Sequence, residues 1–177
     1  VGFGTHFVPH EKLPELTEAF CNLDWDVAKD AQTLTEETIE KFTVQPTGDS
    51  EIAPYREKID RYFGHDRVED IVEDLQKDGS PWAEETLKAM YAMSPTSLKI
   101  ALRQIRLGAK MPFAQVMTME YRLSQALMKG HDFYEGIRAA LIDKDRQPKW
   151  EPPRIAEVSD QDVEAYFDSL GDKDLVL

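Results

Sequence analysis

Apolar residues recur at helical spacing over most of the chain. The spacing predicts one helix over 113–129 and a second over 133–143, because apolar side chains three and four residues apart share one helix face. The face of the first helix consists of Val116, Met119, Leu123, Ala126 and Leu127. Gly130 separates the two helices, and we expect a left-handed backbone there, since glycine adopts that conformation without strain.

Side chains that can cap helices stand before several of these patterns. Asp132 and Glu135 have the spacing of a capping box, which predicts that Asp132 starts the second helix of this pair. The pairs Ser80-Pro81 and Ser94-Pro95 predict two more starts, with serine as the cap and proline in the first turn. Ser159 is expected to open a last helix that ends at Gly171.

One segment has the pattern of a β-strand. Residues 3–8, FGTHFV, predict a short strand that Pro9 ends. A single strand is not stable in water, so we expect it to complete a sheet supplied by another part of the protein. The pattern therefore predicts a mainly α fold with one short strand at the N-terminus.

Charge is distributed unevenly along the 177 residues. The net charge of −13 combines −12 over residues 1–93, +5 over 94–150 and −6 over 151–177. The basic island needs a counter-charge from an anionic ligand, a nucleic acid or the chain's own acidic helices. Within it, one helix stripe consists of Lys99, Arg103, Arg106 and Lys110. We favour a solvated stripe paired with acidic neighbours over a surface that faces an anion or RNA.

The sequence lacks the patterns that are typical of several classes of protein. No apolar run reaches the ~18 residues of a membrane-spanning helix. Cys21 is the single cysteine, which excludes an internal disulfide, and no histidine or cysteine set has the spacing of a metal site. The P-loop, the nucleophile elbow and the GxGxxG motif are also missing.

The sequence of one long block resembles a known family. GHDFYEGIRAALIDKDRQPKW at 130–150 resembles the C-terminal signature of the 3-hydroxyisobutyryl-CoA hydrolases, a branch of the crotonase (enoyl-CoA hydratase) superfamily. The resemblance extends to GTHFVPHEKLPEL at 4–16, LQKDGSPWAEETLKAM at 75–90, MSPTSLKIALRQI at 93–105, MEYRLSQALMKG at 119–130 and SLGDKDL at 169–175. It implies the C-terminal helical portion of a crotonase-type α/β fold.

The resemblance also implies an organisation along the chain. Residues 1–23 would end the crotonase core, 24–65 would be a variable helical insertion and linker, 66–150 the helical region with the family signature, and 151–177 a terminal helix and tail. The family's catalytic carboxylates and glycine-rich oxyanion hole lie upstream of the THFVP segment, and nothing here matches them. We therefore expect no catalytic residue in this chain, which would be part of a longer polypeptide and inactive alone.

The function implied is hydrolysis of an acyl-CoA thioester in valine catabolism, in the mitochondrion, without a metal or any cofactor beyond the substrate's own coenzyme A. The expected partners are the acyl-CoA substrate, the upstream crotonase core and further copies of the chain in a homo-oligomer, with no membrane. In crotonases the terminal helix region lies near the adenine–phosphate end of the coenzyme. Basic and aromatic side chains suit that end, which makes Lys144, Lys149 and Trp150 the candidate coenzyme A contacts.

Three alternatives stay open at this point. The basic residues of 144–150 also fit a helix end whose charges offset the helix dipole. Relatives of this hydrolase serve as structural proteins of the small subunit of the mitochondrial ribosome, and the basic island is compatible with that use. The segment could also be an interaction module that serves assembly alone. Intact catalytic acids upstream would favour the enzyme, and their loss would favour a structural role.

Overall fold

Helices make up the regular structure of the residues that are described. The computed structural model describes residues 4–25, 30–46 and 50–177. The α-helices there are α1 (Leu13–Cys21), α2 (Ala31–Glu40), α3 (Arg56–Tyr62), α4 (Val68–Asp78), α5 (Pro81–Ala92), α6 (Pro95–Gly108), α7 (Phe113–Leu127), α8 (His131–Ile137) and α9 (Asp160–Glu164). The mainly α fold expected from the sequence is thereby confirmed. No helix in the described ranges is both long and apolar enough to traverse a lipid bilayer.

The chain forms two compact units, Val1–Pro54 and Tyr55–Leu177. In the first, the strand expected over 3–8 is not formed by its described residues 4–8. The Val44 N–H donates to the Phe7 carbonyl at 3.0 Å, which is one bond where a strand needs a ladder of them. The expected strand was one that a sheet in another part of the protein would complete, so it stays a prediction.

The second unit has two apolar clusters. The first consists of Tyr62, Ile71, Leu75, Ala83 and Leu87 from α3, α4 and α5. The second consists of Ile100, Met119, Leu123, Val158 and Val163 from α6, α7, α9 and the segment before α9. Helix α6 belongs to both, because Leu102 packs on the first cluster while Ile100 lies within the second.

Most of the predicted helix starts are confirmed. The Ser80 and Ser94 hydroxyls accept the N–H groups of Ala83 and Ser97, so both serines cap their helices. Ser159 forms a capping box with Asp162 at the start of α9. The last helix is shorter than expected, since α9 gives way to a 3₁₀ turn over Ala165–Phe167 and does not reach Gly171.

The corner between α7 and α8 differs from the prediction. Gly130 has φ −87° and ψ 162°, which is extended and not left-handed. Helix α7 ends instead through hydrogen bonds to carbonyls three residues back, from Lys129 N to Ala126 O at 3.1 Å and from Gly130 N to Leu127 O at 3.0 Å. Because this ending needs no left-handed residue, the reason given for a glycine at position 130 is wrong.

Helix α8 also begins earlier than the sequence predicts. The helix begins at His131, so Asp132 lies inside the first turn and the predicted capping box with Glu135 is not formed. The single helix predicted over 133–143 is an α-helix to Ile137 followed by a π turn over Arg138–Ile142. Asp132 and Glu135 are thereby left to bond other groups.

Candidate functional site

Arg138 organises the segment that carries the family resemblance. Its guanidinium donates to both carboxylate oxygens of Glu135, from Nε and Nη2, at 2.8 Å each. Its Nη1 donates to Asp143 Oδ2 at 2.6 Å and to Asp145 Oδ2 at 2.7 Å. Three carboxylates and one guanidinium therefore form a network of charge-assisted hydrogen bonds, the strongest class of such bonds in proteins.

The backbone after α8 is shaped so that the two aspartates reach back to Arg138. In the π turn the Asp143 N–H donates to the Arg138 carbonyl, five residues back, at 2.8 Å. Lys144 and Arg146 then have φ of 56° and 55°, in the left-handed region that non-glycine residues rarely adopt. The two left-handed residues alternate with the two aspartates that bond Arg138. Rare conformations of this kind persist where surrounding contacts hold them in place.

Two more carboxylate contacts fix the rest of this segment. Glu135 Oε1 accepts the backbone N–H of Lys149 at 2.7 Å, and Asp132 Oδ1 accepts that of Glu151 at 2.9 Å. Asp132 also accepts a 2.5 Å hydrogen bond from the Ser94 hydroxyl at the start of α6. Residues 131–151, which we call the corner segment, are thus tied to themselves and to α6.

The same contacts shift the acidities of the groups involved. Hydrogen bonds from Arg138 and from the Lys149 N–H lower the pKa of Glu135 to about 2. The hydrogen bond to Asp132 raises the pKa of the His131 imidazole. Both shifts favour the charged forms, so Glu135 holds the fold of the corner segment together and is poorly suited to accept a proton during a reaction.

The three predicted coenzyme contacts lie in different surroundings. The Trp150 indole is half-buried, and its Nε1 donates to the Ala92 carbonyl at 3.1 Å. A side-chain carbon at Gly136 would lie 3.4 Å from the Trp150 ring, so a glycine there lets the indole pack on α8. Lys144 and Lys149 are exposed. Within the part of the chain that the structure describes, neither lysine forms an ion pair, which leaves both free to bind an anion.

The basic stripe is largely neutralised within the chain at its three residues on α6, and Lys110 lies beyond the end of that helix. Lys99 Nζ lies 2.5 Å from Glu69 Oε1, Arg103 Nε lies 2.8 Å from Glu164 Oε1, and Arg106 Nε lies 3.2 Å from Asp66 Oδ1. Pairing with acidic neighbours is therefore confirmed for three of the four residues. The expectation that the stripe is solvated is wrong for Lys99, which is buried. The stripe gives no support to an RNA-facing surface.

Sequence reasoning missed Arg138, whose side chain forms more hydrogen bonds than any other in the corner segment. Its partners lie three residues before it and five and seven residues after it. The first spacing is that of a helix, but the other two partners are brought close by the π turn and the left-handed backbone that follows it. Acids on both sides of one arginine are the signal that could have indicated it.

Comparison with known proteins places the chain in a family. The model of the enoyl-CoA hydratase/isomerase family matches residues 1–167. The chain belongs to this family.

Curated relatives carry a more particular name. The mitochondrial 3-hydroxyisobutyryl-CoA hydrolase of Rattus norvegicus is 45% identical over 174 residues, covering 98% of this chain and 45% of the rat protein. That of Danio rerio is 46% identical over 177 residues, covering all of this chain and 46% of the zebrafish protein. The chain therefore spans about half the length of the curated relatives it matches.

Solved structures agree on the fold. A carnitinyl-CoA dehydratase from Mycobacterium thermoresistibile superposes with a TM-score of 0.77 and 34% identity, over 96% of this chain and 46% of that one. An enoyl-CoA hydratase from Rhodobacter sphaeroides 2.4.1 superposes with a TM-score of 0.79 and 29% identity, over 99% of this chain and 48% of that one. The fold is that of the C-terminal portion of these proteins.

Proposed function

We propose that this chain is the C-terminal part of a 3-hydroxyisobutyryl-CoA hydrolase, where it covers the acyl-CoA site and provides domain or subunit contacts. The observation that carries the proposal is 45% identity over 98% of the chain to a protein of that name. The structural relatives are a dehydratase and a hydratase whose names also specify CoA thioesters, at lower identity. Location in the mitochondrion follows the naming of the curated relatives and belongs to the same proposal.

In this function the chain binds the substrate and leaves the bond cleavage to residues outside it. The chain needs no cofactor of its own, because the coenzyme is carried by the substrate. Lys144 and Lys149 would contact the coenzyme's phosphates, since exposed ammonium groups without an ion-pair partner attract phosphate charge. Trp150 would contact the adenine through its ring, because its N–H already bonds Ala92. The assembled enzyme is expected to be a homo-oligomer.

The reaction is tested on the polypeptide at the length that its gene encodes. Release of free thiol from 3-hydroxyisobutyryl-CoA is followed with a thiol reagent, and hydration of crotonyl-CoA is followed by loss of its enoyl absorbance. The proposal predicts turnover in the first assay with a kcat/KM well above that of the second. Hydration without thiol release would contradict it and would favour a hydratase.

The coenzyme contact is tested with Lys144→Ala and Lys149→Ala in the same polypeptide. Each substitution should raise KM for the acyl-CoA about two- to fivefold, which corresponds to the ~0.5–1 kcal/mol of one exposed ion contact, with kcat unchanged. Lys88→Ala is the matched control, since it removes an exposed lysine from α5. An unchanged KM in both variants would exclude these lysines as contacts.

A further inference from the structure

The corner segment separates its acidic from its basic side chains, although the two alternate in sequence. Residues 143–146 read Asp, Lys, Asp, Arg. Both aspartates bond Arg138, while Lys144 and Arg146 are exposed and, among the described residues, without an ion pair. The carboxylates therefore face one way and the cations remain available.

This separation depends on Arg138. Without the guanidinium, three carboxylates would lack this cationic partner, and the exposed Lys144 and Arg146 adjoin two of them in the sequence. Lys144 or Arg146 paired with an acid of its own loop could no longer bind a ligand anion at full strength. Uncompensated carboxylates close to a phosphate site would also repel the phosphate.

We infer that Arg138 is a positioning residue, which holds Glu135, Asp143 and Asp145 so that Lys144, Arg146 and Lys149 present their charges to the phosphates of coenzyme A. The inference rests on the proposed function and adds two residues to it. Arg138 acts without touching the ligand, since Glu135, Asp143 and Asp145 occupy its donors. Arg146 becomes a third phosphate contact, and its guanidinium can bind a phosphate through two parallel hydrogen bonds.

The distance constraints of the segment support this assignment. Lys149 is held through its own backbone N–H, 2.7 Å from a Glu135 oxygen that also accepts a bond from Arg138. The Gln147 carbonyl accepts a further bond from Arg138 at 3.2 Å. The same guanidinium therefore bonds the side chains of Asp143 and Asp145 and the backbone at Gln147.

The experiment measures the affinity of the gene-length polypeptide for coenzyme A by calorimetric titration. Arg138→Gln should weaken binding about tenfold, because it impairs several phosphate contacts together. Adding Asp143→Asn and Asp145→Asn to that variant removes the two competing carboxylates that flank Lys144, leaves Glu135 to hold Lys149, and should restore affinity to within about threefold of the unmodified protein. Arg56→Gln is the control, since it breaks the exposed pair with Asp60 on α3 and should leave affinity unchanged.

A purely structural role for Arg138 gives a different result. The triple variant also lacks the cross-links, so if Arg138 only maintained the fold, binding would stay weak, which would overturn the inference. Unchanged binding by Arg138→Gln would overturn it as well. If Arg138→Gln does not fold, Asp143→Asn with Asp145→Asn in the otherwise unmodified protein decides, because the inference expects equal or tighter binding and weaker binding refutes it.

Failure of the proposed function would be distinguishable from failure of this inference. Coenzyme A binding that depends on Arg138, in a protein that does not release thiol from the substrate, would refute the hydrolase and leave the phosphate site in place. If the protein releases thiol and its affinity for coenzyme A is unchanged by Arg138→Gln, the hydrolase proposal stands and the positioning role of Arg138 is refuted.

Discussion

Lys99 offers the sharpest test of how the second unit is held together. Its side chain is only 8% exposed, although lysine is among the residues least often buried. Its Nζ donates to the Val158 carbonyl at 2.6 Å and lies 2.5 Å from Glu69 Oε1. One ammonium group therefore joins α6 to α4 and to the segment before α9.

The cost of removing that group can be worked from its two partners. Lys99→Met keeps most of the apolar volume but leaves the Val158 carbonyl without this donor, a loss of about 1–3 kcal/mol for a buried group. It also leaves the Glu69 carboxylate without its cation. Breaking a fully buried pair costs about 3–5 kcal/mol, and Glu69 is 30% exposed, so water offsets part of that cost. We expect a total of about 2–3 kcal/mol.

Arg103→Met is the matched control, one helical turn away on α6. Its ion pair with Glu164 is 44% and 55% exposed at the two ends, and such pairs contribute at most about 1 kcal/mol. Urea unfolding followed by circular dichroism measures the loss in the free energy of unfolding for both variants. With a slope of about 2 kcal/mol per molar urea, Lys99→Met should lower the midpoint by about 1 M or more, and Arg103→Met by less than about 0.5 M. Equal shifts would refute the assignment of Lys99 as a buried cross-link.

Two further predictions follow from the corner and its acids. Gly130→Ser should change stability by less than about 0.5 kcal/mol in thermal melting, because the backbone there is extended and caps α8, whereas Gly79→Ser, at φ 58°, should cost about 1 kcal/mol. Because the pKa of Glu135 is lowered from 4.5 to about 2, its stabilising contribution is present above pH 4.5 and is lost as the pH falls towards 2. Acid titration of Arg138→Gln should therefore show a flatter stability profile over that interval than the unmodified protein.

A specific result would contradict each of these two predictions. A loss of about 1 kcal/mol or more in Gly130→Ser, matching that in Gly79→Ser, would mean that the corner needs glycine after all. Parallel acid profiles for Arg138→Gln and the unmodified protein would show that the Glu135–Arg138 pair adds nothing to stability.

The features that the sequence predicted well are those set by neighbouring residues. Ser80 and Ser94 cap helices through an N–H three residues on, so the contact is present in the local sequence. Ser159 likewise caps α9 through the N–H of Asp162, three residues on. A strand over residues 3–8 is the opposite case, because it requires a second strand that local sequence does not specify.

The candidate site was predicted in part for the same reason. The corner segment was singled out by its sequence, but Asp132 and Glu135 have the spacing of a capping box and form other bonds. Their partners, Ser94 and the N–H groups of Lys149 and Glu151, lie 14 to 38 residues away. Whether a helix begins at residue 131 or 133 decides which of these bonds forms, and tertiary contacts decide where it begins.

Lysine footprinting can show whether the corner segment contacts coenzyme A. The gene-length polypeptide is acetylated briefly with and without saturating coenzyme A, and modification at each lysine is measured by mass spectrometry. We expect coenzyme A to slow acetylation of Lys144 and Lys149 and to leave the exposed Lys88 on α5 unaffected. Equal acetylation of Lys144 and Lys149 with and without the coenzyme would contradict it.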